Sequence, residues 1–169
     1  WLFLFNTAQG QGTGITGPEE MNQCDQATFT ITIENPSSST KSACDIVITN
    51  TMPNQNFSYV GGTSTLTDHN GNTYGENPNQ SGQDLTWNLN DIIDSDYQLP
   101  PGGSLTVEFD MATSCDAVSG TDQVTVDYVD CSDPDSSFQD NDSTPIEVNP
   151  GAVTVNKSPS VISAAAGAQ

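Results

Sequence analysis

Apolar and polar residues alternate most sharply between Asp84 and Met111. Leu85, Trp87 and Leu89 alternate with Thr86 and Asn88, and Leu105, Val107, Phe109 and Met111 alternate with Thr106, Glu108 and Asp110. A period of two sends one set to a buried face and the other to water, so the stretch predicts strand, loop, strand. Pro100-Pro101-Gly102-Gly103 ends the loop, because proline fixes φ and glycine permits a tight turn. The unit is dense in apolar residues for so polar a chain, so it is expected to form the core.

The same period recurs along the chain. Ala27–Glu34 reads as a strand with Phe29, Ile31 and Ile33 inward and Thr28, Thr30 and Thr32 outward, followed by a turn from Asn35 to Ser39. Asp45–Asn50 is the next strand, stopped by Pro53. Phe57–Val60 and Thr63–Thr67 follow, and Asp68–Asn72 carries the Asn-Gly signature of a hairpin turn. Gly75–Gly82 reads as a polar loop. Gln123–Asp130 places Val124, Val126 and Tyr128 on one face. Asp130–Pro145 is acidic and short of apolar residues, and is expected to be irregular. Ile146–Val155 is expected to be extended, and Ser163–Gln169 reads as an end or a linker. No window shows a sustained helical stripe, and the straight-chain residues that favour helices are scarce, so the fold class is all-β.

With 169 residues the chain suffices for one domain with extended ends. The expected division is 1–16 as an apolar strand and glycine-rich linker, 17–149 as the sandwich, and 150–169 as an extended segment. Two cations, Lys41 and Lys157, stand against 22 acidic residues, a formal charge of -20. That balance leaves almost nothing to neutralise phosphates, which excludes nucleic acid and an anionic membrane surface as partners. It suits high salt, metal cations, or an extracellular surface kept soluble by repulsion. Four cysteines without a CxxC pair, and a single histidine, His69, argue against zinc. They point to two disulfides and an oxidising, extracytoplasmic compartment.

Trp1-Leu2-Phe3-Leu4-Phe5 is apolar on both faces and too short to span a bilayer. One reading is the tail of a signal-peptide apolar region with a small-residue site near Ala8. The preferred one is a mature segment ordered by packing. Gly10–Gly17 then reads as a flexible leash. An apolar strand on a leash is either the first strand of its own sandwich or a strand inserted into a neighbouring subunit, the device that builds donor-strand fibres.

In order, ATFTITIENPSSS, DIVITNTMP, FSYVGGTSTL, LTWNLNDI, LPPGGSLTVEFDM and DQVTVDY resemble the extracellular repeat domain of archaeal and bacterial surface proteins known as the domain of unknown function numbered eleven. Asn50 stands where that pattern has Asp. The resemblance covers about Gly17–Val148. It implies an immunoglobulin-like β-sandwich, a surface role that is adhesive or structural, and no catalytic residues. Ala152–Gly167 is similar to the lead-in of such a repeat, so Val153 and Val155 are a second candidate for a strand that completes a neighbour. Within this architecture, let the Ala27 strand run up. If the Leu105 strand pairs antiparallel with it, Cys24 and Cys115 meet at the bottom and Cys44 and Cys131 at the top. The expected bonds are Cys24–Cys115 and Cys44–Cys131, one of the three pairings that four cysteines allow.

Candidate chemistry is sparse. His69 beside its turn is expected to be exposed, no serine sits in a nucleophile elbow, and carboxylates alone define no glycosidase pair. Calcium is the one ligand considered, with Asp130, Asp133, Asp135, Asp140 and Asp142 as hard oxygen donors within one short run. The spacing is not that of an EF-hand, and the bland reading is a solvated acidic loop. Asn56, Asn79, Asn141 and Asn156 fit the N-glycosylation pattern. The expected function is therefore non-enzymatic: a structural subunit of an extracellular filament, pilus or sheath, polymerised with copies of itself by strand donation. The alternative is a repeat module of a large surface adhesin or surface-layer protein that binds glycans or other cells. A secreted carbohydrate-active enzyme would need a carboxylate-lined cleft with an aromatic platform, and Trp87 reads as buried.

Overall fold

In the computed structural model, which describes residues 12–150, β10 (Ser104–Thr113) is the strand on which the first sheet is built. Its alternate residues Leu105, Val107, Phe109 and Met111 are buried. It pairs antiparallel with β3 (Gln26–Glu34), Ser104 opposite Glu34 and Ala112 opposite Gln26. β1 (Gly12–Thr16) lies beyond β3, with Gly12 opposite Glu34. The other side of β10 carries β5 (Phe57–Tyr59) and β6 (Thr65–Thr67), and β7 (Thr73–Tyr74) follows β6.

The second sheet has the order β2 (Glu20–Asn22), β12 (Asp133–Asn149), β11 (Gly120–Asp130), β4 (Ala43–Thr51), β9 (Asp84–Asn88) and β8 (Asn79–Ser81). A four-residue helix, α1 (Leu89–Ile92), follows β9, and the Asn88 side chain caps it by accepting from the Asn90 N–H. The chain is thus all-β, a two-sheet, immunoglobulin-like sandwich. Its core lies between the sheets: Phe29 stacks on Phe109 at 6.0 Å between centroids, and Trp87 tilts against Phe109 at 5.3 Å. Trp87 is fully buried, and its indole N–H donates to Ser64 Oγ at 2.9 Å, so the one polar atom it carries inward is satisfied.

The Pro-Gly turn works as expected. Gly102 holds a φ of 78°, and a Cβ on Gly103 would sit 2.9 Å from the Pro100 carbonyl oxygen. Glycine is thus required at both positions. The Asn-Gly turn joins β6 to β7, with Gly71 at φ 83°. Asp68 is buried there. Burial pushes its carboxyl up, but hydrogen bonds from the Asn72 side chain and backbone, the Asn70 N–H and the Tyr74 hydroxyl outweigh that and hold it below its ordinary value.

Four expectations are corrected. Gly12–Thr16, read as part of a leash, is a paired strand of the sandwich. Asp130–Pro145, read as irregular, runs into β12, the longest strand described. The polar loop Gly75–Gly82 contains β8. His69 is half-buried rather than exposed, with its Nδ1 3.0 Å from the Tyr97 hydroxyl. Trp1–Phe5, Val153, Val155 and Asn156 lie outside the described residues.

Candidate assembly interface

Strand direction gives the sandwich two poles. The upper pole holds Glu34, Ser104, Ala43 and Asp130; the lower holds Gln26, Ala112, Thr51 and Gly120. β1 enters at the upper pole, where Gly12 faces Glu34. β12 runs from the upper pole to the lower, where Glu147–Asn149 pair in parallel with Glu20–Asn22. Residues 1–11 are therefore attached at one pole and residues 151–169 at the other, about 30 Å away for a nine-residue strand.

Each pole is crossed by a disulfide. Cys24 is bonded to Cys115 at the lower pole and Cys44 to Cys131 at the upper, with Cα atoms 4.5 and 5.1 Å apart. The antiparallel β3–β10 pairing brings the first pair together, and the β4–β11 pairing brings the second.

The seam between the sheets on the β1 side is held in an unusual way. β1 belongs to the first sheet and β12 to the second. Two carboxylates bridge them: Asp140 Oδ2 accepts from the Thr13 N–H and Asp142 Oδ2 from the Ile15 N–H, each at 3.0 Å. Asp140 Oδ1 also accepts from the Asn141 N–H at 2.9 Å. The carboxylates thus satisfy backbone donors that would otherwise face outward from β1, and they blunt its edge. The five candidates do not converge: Asp133 and Asp135 sit on the opposite face of β12 from Asp140 and Asp142. Asp130 is engaged by Lys41 at 3.1 Å and by the Ser132 N–H and hydroxyl at 2.8 Å. Those Ser132 bonds first, and then Lys41, hold the Asp130 carboxyl below its ordinary value. Among the described residues no three His, Cys, Asp or Glu side chains are placed to share a metal ion, so the proposed calcium set is corrected. Asp142→Ala is expected to cost about 1–3 kcal/mol, the price of stranding a part-buried donor. Amide exchange at Ile15 is expected to rise more than at Ile31, which keeps its β10 partner; equal rates at the two amides would contradict the carboxylate latch.

The sequons differ in access. Asn79 and Asn141 are exposed on strands. Asn56 is half-buried, and its side-chain nitrogen donates to the Asp116 carbonyl oxygen at 3.0 Å, so it is the poorest acceptor of the three described.

A second polar pair was not anticipated. Asn50 and Asp122 are fully buried, and Asn50 Nδ2 donates to Asp122 Oδ1 at 2.9 Å and to the Gln123 carbonyl oxygen at 3.1 Å. Asn50 Oδ1 and Asp122 Oδ2 have no hydrogen-bond partner among the described residues. Burial, against only these few bonds, pushes the Asp122 carboxyl up to about 7. A usable signal was present: Asp122 shares the period-two face of Val124, Val126 and Tyr128, and Asn50 that of Ile46 and Ile48.

No family model matches the sequence, and no curated protein does. Solved structures with the same fold do exist. BcpA, the major pilin subunit of Bacillus cereus, superposes with a TM-score of 0.59 at 12% identity, over 80% of this chain and 40% of that one. Domains D2 and D3 of the major pilin SpaD from Corynebacterium diphtheriae give a TM-score of 0.59 at 12% identity, over 79% of this chain and 51% of that one. AvmM, which catalyses macrocyclization in alchivemycin A biosynthesis, gives 0.51 at 9% identity, over 85% of this chain and 92% of that one. The chain spans about two fifths of the length of the BcpA pilin. At such identities the likeness is one of fold, and it places this chain among immunoglobulin-like sandwiches that include pilin domains.

Proposed function

We propose that this chain is a structural subunit of an extracellular filament, pilus or sheath, polymerised with copies of itself by strand donation. The observation that carries the reading is that β1 begins and β12 ends at opposite poles of a pilin-like sandwich. A contact from the lower pole of one copy to the upper pole of the next repeats without closing, which is how fibres arise. Trp1, Leu2, Phe3, Leu4 and Phe5 are the first candidate donor strand, with Val153 and Val155 second. Main-chain ladder bonds supply the strength of such a junction and alternate side chains set its register. Two disulfides and an acidic surface suit a location outside the cell, where Asn79 and Asn141 would carry glycans. Kinship to the repeat domain numbered eleven is part of the same proposal. The second reading, a module of a large adhesin or surface-layer protein, is favoured by the match to only part of each pilin.

Electron microscopy of the full chain and of a variant lacking residues 1–10 tests the assembly. Filaments from the full chain that vanish on truncation are the expected result. A monomer in both samples at all concentrations and salts would sink the polymer reading in favour of the adhesive module.

A further inference from the structure

We propose that N-linked glycans on Asn79 and Asn141 stand at the two ends of one cross-strand row and together shield the outer face of the second sheet from protein contact. The inference rests on the extracellular reading above and specifies which face of the molecule is coated.

The register of the second sheet fixes the row. Asn141 lies opposite Thr125, Thr125 opposite Thr49, Thr49 opposite Thr86, and Thr86 opposite Asn79. All five take the outward face, because the residues that alternate with them, Val124, Ile48 and Leu85 among them, are buried in the core. Four strand spacings separate the two asparagines, so they stand about 19 Å apart with three threonines between them.

Both sequons are presented in the same way. Residues two apart on a strand share a face, so Asn79 with Ser81 and Asn141 with Ser143 project outward, and all four are exposed. The residue between them turns the other way: Gln80 lies opposite the buried Leu85, and Asp142 accepts from the Ile15 N–H. Neither the two asparagine side-chain amides nor the two serine hydroxyls have a hydrogen-bond partner among the described residues. Asn56, half-buried and bonded to the Asp116 carbonyl oxygen, differs on both counts. Beside Asn141 opens a polar depression of about 220 Å³, lined by Gln123, Thr125 and Ser143, where the first sugar ring would lie.

The face between the sequons suits a sugar coat and is poorly guarded without one. Copies carrying -20 each repel, yet this row is uncharged, and the rows on either side of it add two carboxylates, Asp84 and Asp127. Asp84 accepts from the Thr51 hydroxyl at 2.7 Å and Asp127 from the Gln139 side-chain amide at 2.8 Å. The hydroxyls of Thr49, Thr86 and Thr125 have no partner among the described residues, so they offer a sugar both donors and acceptors. Glycans are bulky and solubilising, and at the two ends of the row they supply by volume the separation that charge supplies elsewhere. The first sheet has a comparable outward row in Thr32, Thr106 and Thr67, but no sequon asparagine lies on a strand of that sheet among the described residues. The molecule thus has one coated face and one bare one.

Occupancy and access are tested separately on protein purified from its source cells. Peptide mapping of the unaltered protein is expected to find glycans on both Asn79 and Asn141, a measurement that needs no variant to fold. For access, the chain has two lysines of its own, Lys41 and Lys157, so Thr49→Lys adds an amine that reports from the middle of the row. Its acylation by a bulky amine-reactive polyethylene glycol is expected to be at least fivefold slower than in the same variant carrying Ser81→Ala and Ser143→Ala, which remove the sequons. Thr106→Lys, on the bare face, is expected to react at one rate with or without the sequons. Equal rates at position 49, or an unmodified asparagine at either site, overturn the shield. Unmodified asparagines with both disulfides formed leave the extracellular reading intact, whereas unmodified asparagines with free thiols overturn both.

Discussion

The double variant Cys24→Ala/Cys115→Ala is expected to lose about 4–5 kcal/mol of unfolding free energy. The bond joins residues 91 apart, and closing a loop of that length removes about that much chain entropy from the unfolded state. The bond also ties the start of β3 to the end of β10, the pair that carries Phe29 and Phe109. Set against the roughly 5–15 kcal/mol that holds a typical domain together, the loss is large. Cys44 and Cys131, 87 apart, close an overlapping loop. Breaking both bonds should therefore cost more than twice the single loss, because while one bond is intact it shortens the path the other must close. Urea unfolding measures this: the midpoint falls and the dependence on urea steepens as the unfolded chain expands. A loss below about 1 kcal/mol would show that the unfolded chain is already confined by other means.

Asp122→Asn is expected to stabilise the protein at pH 8 by about 3 kcal/mol and to do almost nothing at pH 4. The folded state holds the Asp122 proton up to about pH 7, against an ordinary value of 3.8. A carboxyl whose folded value is raised binds more protons folded than unfolded between those two values. Its contribution is thus fully present below about pH 4, falls as pH rises, and is gone above about pH 7, a span of roughly 4 kcal/mol. The amide variant is neutral throughout and brings a donor within reach of Asn50 Oδ1, one of the two unpartnered atoms. Because surface carboxylates titrate in both proteins, the informative quantity is the difference between the two stability profiles. Parallel profiles from pH 4 to 8 would show that Asp122 is ionised in the fold.

Where side chains carried the fold, the sequence was legible. Phe29, Ile31 and Ile33, then Leu105, Val107, Phe109 and Met111, announce their faces by period alone, and the direction of these strands placed the cysteines at matching poles. β1 escaped because Gly-Thr-Gly-Ile-Thr offers one buried side chain, Ile15; its strand character comes from the β3 ladder and two remote carboxylates. β12 escaped for a related reason. Its inward positions from Asp140 to Thr144 face the edge of β1 rather than the apolar core, so they are polar, and alternation of hydrophobicity disappears though the strand does not. The calcium set failed on the same point, since counting aspartates in a row says nothing about the face each one takes.

The disulfide at the lower pole also decides how the molecule would respond to being pulled. Tension applied at Gly12 and at Asn149 follows the shortest covalent route through the chain. That route runs from β1 to Cys24, crosses to Cys115, and continues through β11 and β12. Everything between Cys24 and Cys115, including the β3–β10 pair and Trp87, lies on a closed loop outside the load path. A stretched subunit would pay out its two ends and then meet this covalent tie, with the Phe29, Trp87 and Phe109 cluster kept together on the unloaded loop and ready to draw the ends back when the force is released.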